Sequence, residues 1–445
     1  MLSRRATEKN AWFLEQFKRP LARQGSKDAS NIDMATAENW LLRPEILSML
    51  KRNCVTGLEE EHLSYATGLG GTSELLESLS MFFNHFFSPS VPVRPEHIVT
   101  GTGLSAVLDT LINDICDEGD GLLVTAPMWG DFQVSAVLRN SVQLLPVYVS
   151  PEHSHSAGDI VQAYRDAAEK ATCKVRGILF CNPHNPYGHI CPTEAIDGLL
   201  QYCQQANMHF VSDEIYALST FGDLEESSGK SNNVYRSPET QFVSVLSRDL
   251  SLLEVEQSRV HVLYSISKDF GCSGMRLGCL VSQDNKPLRM SQAILNNAKI
   301  CNAATVMVTP MLSDTARLEK LVDLNTKRLH AAAQIAVKFA EFHDLSYYKP
   351  VAGLYIWLRL SEGCSTFEKE EALVQKCSQH GVFVGSGADY SEPQPGWFRL
   401  TFALPEQKLL EGLRRIEEAM GYEEVFTHEV DFYVRFSNWW RGIGL

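Results

Sequence analysis

Between residues 96 and 217 the chain alternates short apolar runs with amphipathic stretches of helical period, and this alternation restricts the fold more than any other feature. EHIVT (96–100) leads into GLSAVLDTLINDIC, and GLLVTAP (121–127) leads into a helical segment around DFQVSAVLRN. VQLLPVYV (142–149) precedes DIVQAYRDAAEKAT, GILFCNP (177–183) precedes TEAIDGLLQYCQQAN, and MHFVSDEIYA (208–217) follows. Strands separated by helices of about 10–15 residues predict an α/β fold with a mainly parallel sheet covered on both faces. In such sheets ligands collect at the carboxyl ends of the strands.

After about residue 300 the pattern changes. A long helical stretch, TARLEKLVDLNTKRLHAAAQIAVKFAEFH, precedes strand-like GLYIWLRL, a helix near 367–380, strands at VFVG and WFRLTF, and a last helix at 404–420. This predicts a smaller α+β domain at 306–445, a large domain at 56–305, and an N-terminal arm, 1–55, that joins the small domain. The tail from Tyr422 is expected to pack its aromatics on the body.

A formal charge of −14 excludes the basic face of a nucleic-acid binder. No apolar run reaches the roughly 20 residues of a membrane span. The basic start carries Glu8 and Glu15 and lacks the serine richness of a transit peptide, so a cytoplasmic protein is expected. The eleven cysteines show no CxxC pair and no Cys/His spacing suited to zinc, which predicts buried thiols and no metal.

The chemistry-bearing residues fall at the predicted strand ends. SISKDFGCSGMRLG (265–278) sets Lys268 behind two serines and eight positions before Arg276. GTGLSAVLDTL (101–111) is a glycine turn entering a helix, so the amides of Leu104 and Ser105 and the Ser105 hydroxyl can meet a phosphate. PMWG offers Trp129, CNPHNPYG offers Asn185, and SDEIYA offers Asp213 and Tyr216. Singly, each has a plainer reading: a surface lysine, a core tryptophan, a turn-rich loop, a helix-capping acid. Their conjunction is what carries weight.

In order and spacing these segments resemble the class I/II aminotransferase family of pyridoxal-phosphate enzymes of fold type I. SISKDFGCSGMRLG matches that family's serine-x-serine-lysine signature with its downstream arginine, and NPHNPYG and DEIYA match its other anchors. The match runs from about Asn31 to Gly421. It implies a large domain with a central, mainly parallel seven-stranded sheet, a smaller α+β domain, pyridoxal 5'-phosphate as cofactor, and a homodimer whose subunits share active sites. Lys268 is then the residue that bonds the cofactor aldehyde and later serves as general base. Asp213 pairs with the pyridinium nitrogen, Asn185 and Tyr216 bond the ring hydroxyl oxygen, and Trp129 stacks on the ring. Leu104, Ser105, Ser265, Ser267 and Arg276 surround the phosphate. QPGWFRLTFA (394–403) makes Arg399 the fork for the substrate α-carboxylate.

Within the family, MATAENWLL (34–42) resembles the start of 1-aminocyclopropane-1-carboxylate (ACC) synthases, where a glutamate at the position of Glu38 contacts substrate. In YATGLGGTSELL, however, Leu69 stands where those enzymes carry a tyrosine that reaches the neighbouring subunit's phosphate. Tyr65 is the nearest replacement. That departure weighs against ring closure on S-adenosylmethionine. The expected activity is a carbon–sulfur lyase on a sulfur-containing amino acid or cysteine conjugate, with an aminotransferase as the main rival. The intact Lys268, Asp213 and Arg276 argue against a non-catalytic descendant.

Overall fold

The computed structural model describes residues 2–16, 30–150, 156–225, 232–296 and 300–427. Most of the C-terminal tail, expected to pack on the body, and residues 17–29 of the N-terminal arm lie outside them.

Seven strands form the central sheet: β2 (Ile98–Thr102), β3 (Gly121–Ala126), β4 (Gln143–Tyr148), β5 (Val175–Cys181), β6 (His209–Asp213), β8 (Val260–Ser265) and β9 (Leu277–Val281), in the order β2-β9-β8-β6-β5-β3-β4. From β8 to β4 all neighbours run parallel, whereas β9 is antiparallel to both β8 and β2. The core strands are apolar on both faces because helices cover both. β8, for example, is buried at every position. The helix Leu104–Ile115 shows the matching logic, with Val107, Leu108, Leu111, Ile112 and Ile115 forming one buried stripe.

Register explains where the site lies. Cys181 pairs with Asp213 and Asp213 with Leu263, so the ends of β5, β6 and β8 finish side by side. Because β9 runs the opposite way, its start is beside the end of β2, with Thr102 paired to Leu277. Arg276, which precedes Leu277, therefore arrives at the same edge as Leu104.

A second, five-stranded sheet has the order β13 (Gly385–Ser386), β14 (Trp397–Thr401), β11 (Tyr355–Arg359), β10 (Tyr347–Lys349) and β7 (Asn233–Arg236). β7 comes from a stretch assigned by sequence to the large domain, yet it pairs parallel with β10. The expected N-terminal arm also divides. β1 (Ile32–Asp33) pairs with β12 (Val382–Phe383) at the smaller sheet's side. The helix Arg43–Gly57 instead buries Ile46, Met49 and Leu50 in the core that holds Leu75, Leu79, Val308 and Met311. Asn53 Nδ2 donates to Met307 O at 2.8 Å, and Lys9 Nζ of the first helix donates to Arg139 O at 3.1 Å. The arm is thus split: Ile32, Met34 and Ala37 join one core, and Ile46, Met49 and Leu50 the other. All eleven cysteines are free thiols, and no described helix is long and apolar enough to cross a membrane.

Candidate active site

A cavity of about 400 Å³ opens at the carboxyl ends of β5, β6 and β8. It brings together Leu104, Ser105, Trp129, Asn185, Asp213, Tyr216, Ser267, Lys268, Arg276 and Arg399. These come from six separate stretches of chain, and the topology alone assembles them.

Lys268 sits on a single helical turn, Ile266–Asp269, directly after β8. Its Nζ donates to Ala37 O at 2.6 Å. Burial and then the Arg399 guanidinium push its pKa down to about 8, against the pull of Glu38, Asp131 and Asp213. An amine so placed is partly unprotonated near neutral pH, as a nucleophile or base must be. Asp213 ends β6 and is fully buried. Burial raises its pKa to about 7, against the Ile215 amide and Lys268, which lower it. Burial likewise raises the Tyr216 phenol, whose ring lies edge-on to Tyr355 at 5.5 Å.

At the opposite end, Arg399 on β14 donates from Nη1 to Asn185 Oδ1 at 2.9 Å and from Nη2 to Ala35 O at 2.5 Å. Tyr355 and Tyr390 face its guanidinium at 4.8 and 4.9 Å, while its buried Nε has no hydrogen-bond partner. A buried guanidinium with an unmet donor is suited to a carboxylate from outside the chain.

The third corner is a cradle. Arg276 takes a left-handed backbone conformation (φ +53°), with Nη1 on Ser273 O at 2.9 Å and Nη2 on Thr102 O at 3.4 Å. Gly103 (φ +89°) precedes the helix that starts at Leu104, and a Cβ there would collide with the Arg276 guanidinium. A Cβ on Gly278 would strike the Leu104 amide. Two glycines thus leave an opening in which an arginine and helix-start amides face the same point, as an anion requires. Gly103→Ala is expected to weaken cofactor binding about tenfold or more, since it adds about 1–3 kcal/mol of backbone strain to the collision. Equilibrium dialysis of the variant measures this.

Three of the expected residues lie outside the cavity lining. Ser265 does not line the cavity. Its Oγ donates to Leu277 O at 2.7 Å, accepts from Ser267 N at 3.2 Å and bonds Ser267 Oγ at 2.7 Å, so it orients Ser267. Glu38 does not line the cavity itself; its carboxylate accepts from Ser273 Oγ, which does, and from Arg43 Nη2, each at 2.7 Å. Tyr65 is fully exposed and does not line its own chain's cavity. Other lining residues were not anticipated: Ala35, Thr36, Ala37, Asp131, Gln133, Ser273, Asp389 and Tyr390. The acids Asp131, in a turn, and Asp389, in the short 3-10 helix Gly387–Tyr390, stand in stretches whose composition carries no periodic signal.

A model of the "Aminotransferase class I and II" family matches residues 55–416. The chain belongs to the class I and II aminotransferase family. It is 62% identical over 432 residues to aminotransferase verI of Clonostachys rogersoniana, covering 97% of this chain and 96% of that one. It is 27% identical to 1-aminocyclopropane-1-carboxylate synthase 5 of Arabidopsis thaliana, over 85% of this chain and 79% of that one. Among solved structures, a mutant of Thermus thermophilus aspartate aminotransferase superposes with a TM-score of 0.71 at 19% identity, covering 94% of this chain and 99% of that one. The fold is therefore fold type I, and pyridoxal 5'-phosphate is the cofactor of this aminotransferase family. The residues present fit it: an anion cradle, a buried acid and an amine of lowered proton affinity share one cavity.

Proposed function

We propose that the chain is a pyridoxal-phosphate-dependent carbon–sulfur lyase of the ACC synthase-like branch, acting on a sulfur-containing amino acid or cysteine conjugate. The observation that carries this reading is the charge layout of the cavity. Among the described lining residues the cations are Lys268, Arg276 and Arg399, matched to the cofactor aldehyde, the phosphate and the α-carboxylate. The facing wall offers Asp131, Gln133, Asp389 and Tyr390. A second carboxylate on the substrate finds no cation there, whereas a neutral sulfur substituent does not need one.

When bound, the cofactor supplies an electron sink for the charge left at Cα. The chain supplies the rest. Arg399, whose Nη1 rests on Asn185 Oδ1, holds the α-carboxylate, Asp213 keeps a proton on the ring nitrogen, and Asn185 and Tyr216 bond the ring oxygen. Trp129 covers the ring face, while Leu104, Ser105, Ser267 and Arg276 grip the phosphate. Lys268 Nζ takes the Cα proton. With the cofactor in place, loss of that proton would let the Cβ–S electron pair leave on sulfur, and the thiolate would pick up a proton. The released enamine takes up water to give pyruvate and ammonia, so substrate plus water yields thiol, pyruvate and ammonium.

Incubation with a cysteine S-conjugate in the absence of any 2-oxo acid tests this. Thiol and pyruvate in equal amounts support the lyase. Product that forms only after a 2-oxo acid is added identifies an aminotransferase, and ACC formed from S-adenosylmethionine identifies a synthase.

The same reading makes the enzyme a homodimer, with Tyr65 reaching the neighbouring subunit's phosphate. Exposed Val55, Leu63, Tyr65 and Leu69 on one stretch are the surface that pairing would cover. Light scattering is expected to give twice 49.8 kDa, and Tyr65→Phe to loosen the cofactor about tenfold or less without splitting the dimer. Eleven free thiols suit a reducing, cytoplasmic setting.

A further inference from the structure

The roles above leave Asp269, the residue after Lys268, without a task. It is 1% exposed and collects three donors: Ser219 Oγ at 2.6 Å, Tyr264 OH at 3.0 Å and Leu218 N at 3.1 Å. Leu218 and Ser219 belong to the loop that follows Asp213 and Tyr216, and Ser219 N donates back to Tyr216 O at 3.0 Å. Tyr264 is on β8, just ahead of the Lys268 turn. The backbone of Asp269 is gripped as well. Its carbonyl accepts from Asn39 Nδ2 and Asn325 Nδ2, each at 3.3 Å, and Asn39 Nδ2 also donates to Asn325 Oδ1 at 2.8 Å. Gly271 lies so close to this grip that a Cβ there would collide with Asn39 O.

A carboxylate in so dry a place is costly unless its partners are fixed. Here the partners lie on the two segments whose relative placement decides whether amine, ring nitrogen acid and phenol converge. We propose that Asp269 is a positioning residue that holds the turn bearing Lys268 in register with the loop bearing Asp213 and Tyr216. The inference rests on Lys268 being the cofactor lysine. Glu370 supplies a contrast. It is equally buried and accepts from Ser386 Oγ, Ala388 N at 3.0 Å and Gly396 N at 2.7 Å, but it touches nothing on the Lys268 turn.

The test labels Lys268 of the cofactor-free protein with acetic anhydride across pH and reads the half-labelling pH by mass spectrometry. Asp269→Asn turns one acceptor into a donor facing donors. It is expected to move the half-labelling pH from near 8 by about half a unit or more. In the loaded enzyme it should lower kcat about 10- to 100-fold while KM stays within about threefold, as for a misplaced reacting group. Ser219→Ala/Tyr264→Phe removes two of the donors and is expected to act in the same direction, more weakly. Glu370→Gln is expected to lower the melting temperature while leaving the labelling curve in place. Folded Asp269→Asn and Ser219→Ala/Tyr264→Phe proteins with unchanged labelling and unchanged kcat overturn the proposal. If Asp269→Asn is insoluble, the double variant decides alone. Borohydride fixing the cofactor to a lysine other than 268 overturns the functional reading instead.

Discussion

Lys268→Ala is expected to lower turnover by about 10³-fold or more and to abolish borohydride-stable attachment of the cofactor. Two losses combine. The covalent tether goes, and so does the only amine among the described cavity-lining residues that can move a proton at Cα, a contribution usually of about 10²- to 10⁴-fold. The local structure should survive, because Nζ makes one hydrogen bond, to Ala37 O, and the backbone turn is held by its neighbours. The variant should therefore still bind the cofactor non-covalently through the Arg276 cradle. An unaltered melting temperature with no reducible adduct is the result to look for; full turnover in this variant would refute the assignment.

Asp213→Asn should separate tethering from chemistry. An amide cannot keep a proton on the ring nitrogen, so turnover is expected to fall about 10²- to 10³-fold, the scale seen when one preorganised charge-stabilising group is removed. Attachment to Lys268 persists. The cofactor-free protein adds a pH signature. Burial holds the folded-state pKa of Asp213 near 7, well above its unfolded value, so the folded state keeps its proton over a range where the unfolded state has lost it. Stability is then greatest below the unfolded pKa and falls as pH rises from about 4 to 7, by at most about 4 kcal/mol. Asp213→Asn removes that slope. Its melting temperature should gain on the native protein between pH 4 and 7 and keep a constant lead above 7. Parallel melting curves over this range would show that Asp213 is not strained by its surroundings.

Much of the site was legible in the chain because each cofactor contact demands a particular residue type at a strand end. Lys268 with Arg276, Asn185 in its proline-rich loop and Asp213 after an apolar run all follow that logic, and the cavity gathers them. What stayed hidden depends on partners distant in sequence. β7 pairs with a strand more than a hundred residues later, and nothing local marks it. Glu38 gives no local sign of Ser273, which holds its carboxylate together with Arg43. Ser265 looks like a phosphate ligand, yet it bonds the Leu277 carbonyl. Asp269 reads as an ordinary charge beside a lysine, and its burial appears only when Ser219, Tyr264 and Leu218 converge on it.

The short run from Ala35 to Glu38 reaches Arg399, Lys268 and Ser273 in turn, the first of these across 364 positions of sequence. During synthesis the ribosome delivers one half of that clasp near the beginning and the other close to the end. The vitamin-derived group is expected to settle productively only once translation has passed β14, and fragments lacking either Ala35–Glu38 or Arg399 are expected to lose the same pocket. Pairings so widely separated close late, so newly made protein should acquire its colour after, and more slowly than, its helical circular dichroism.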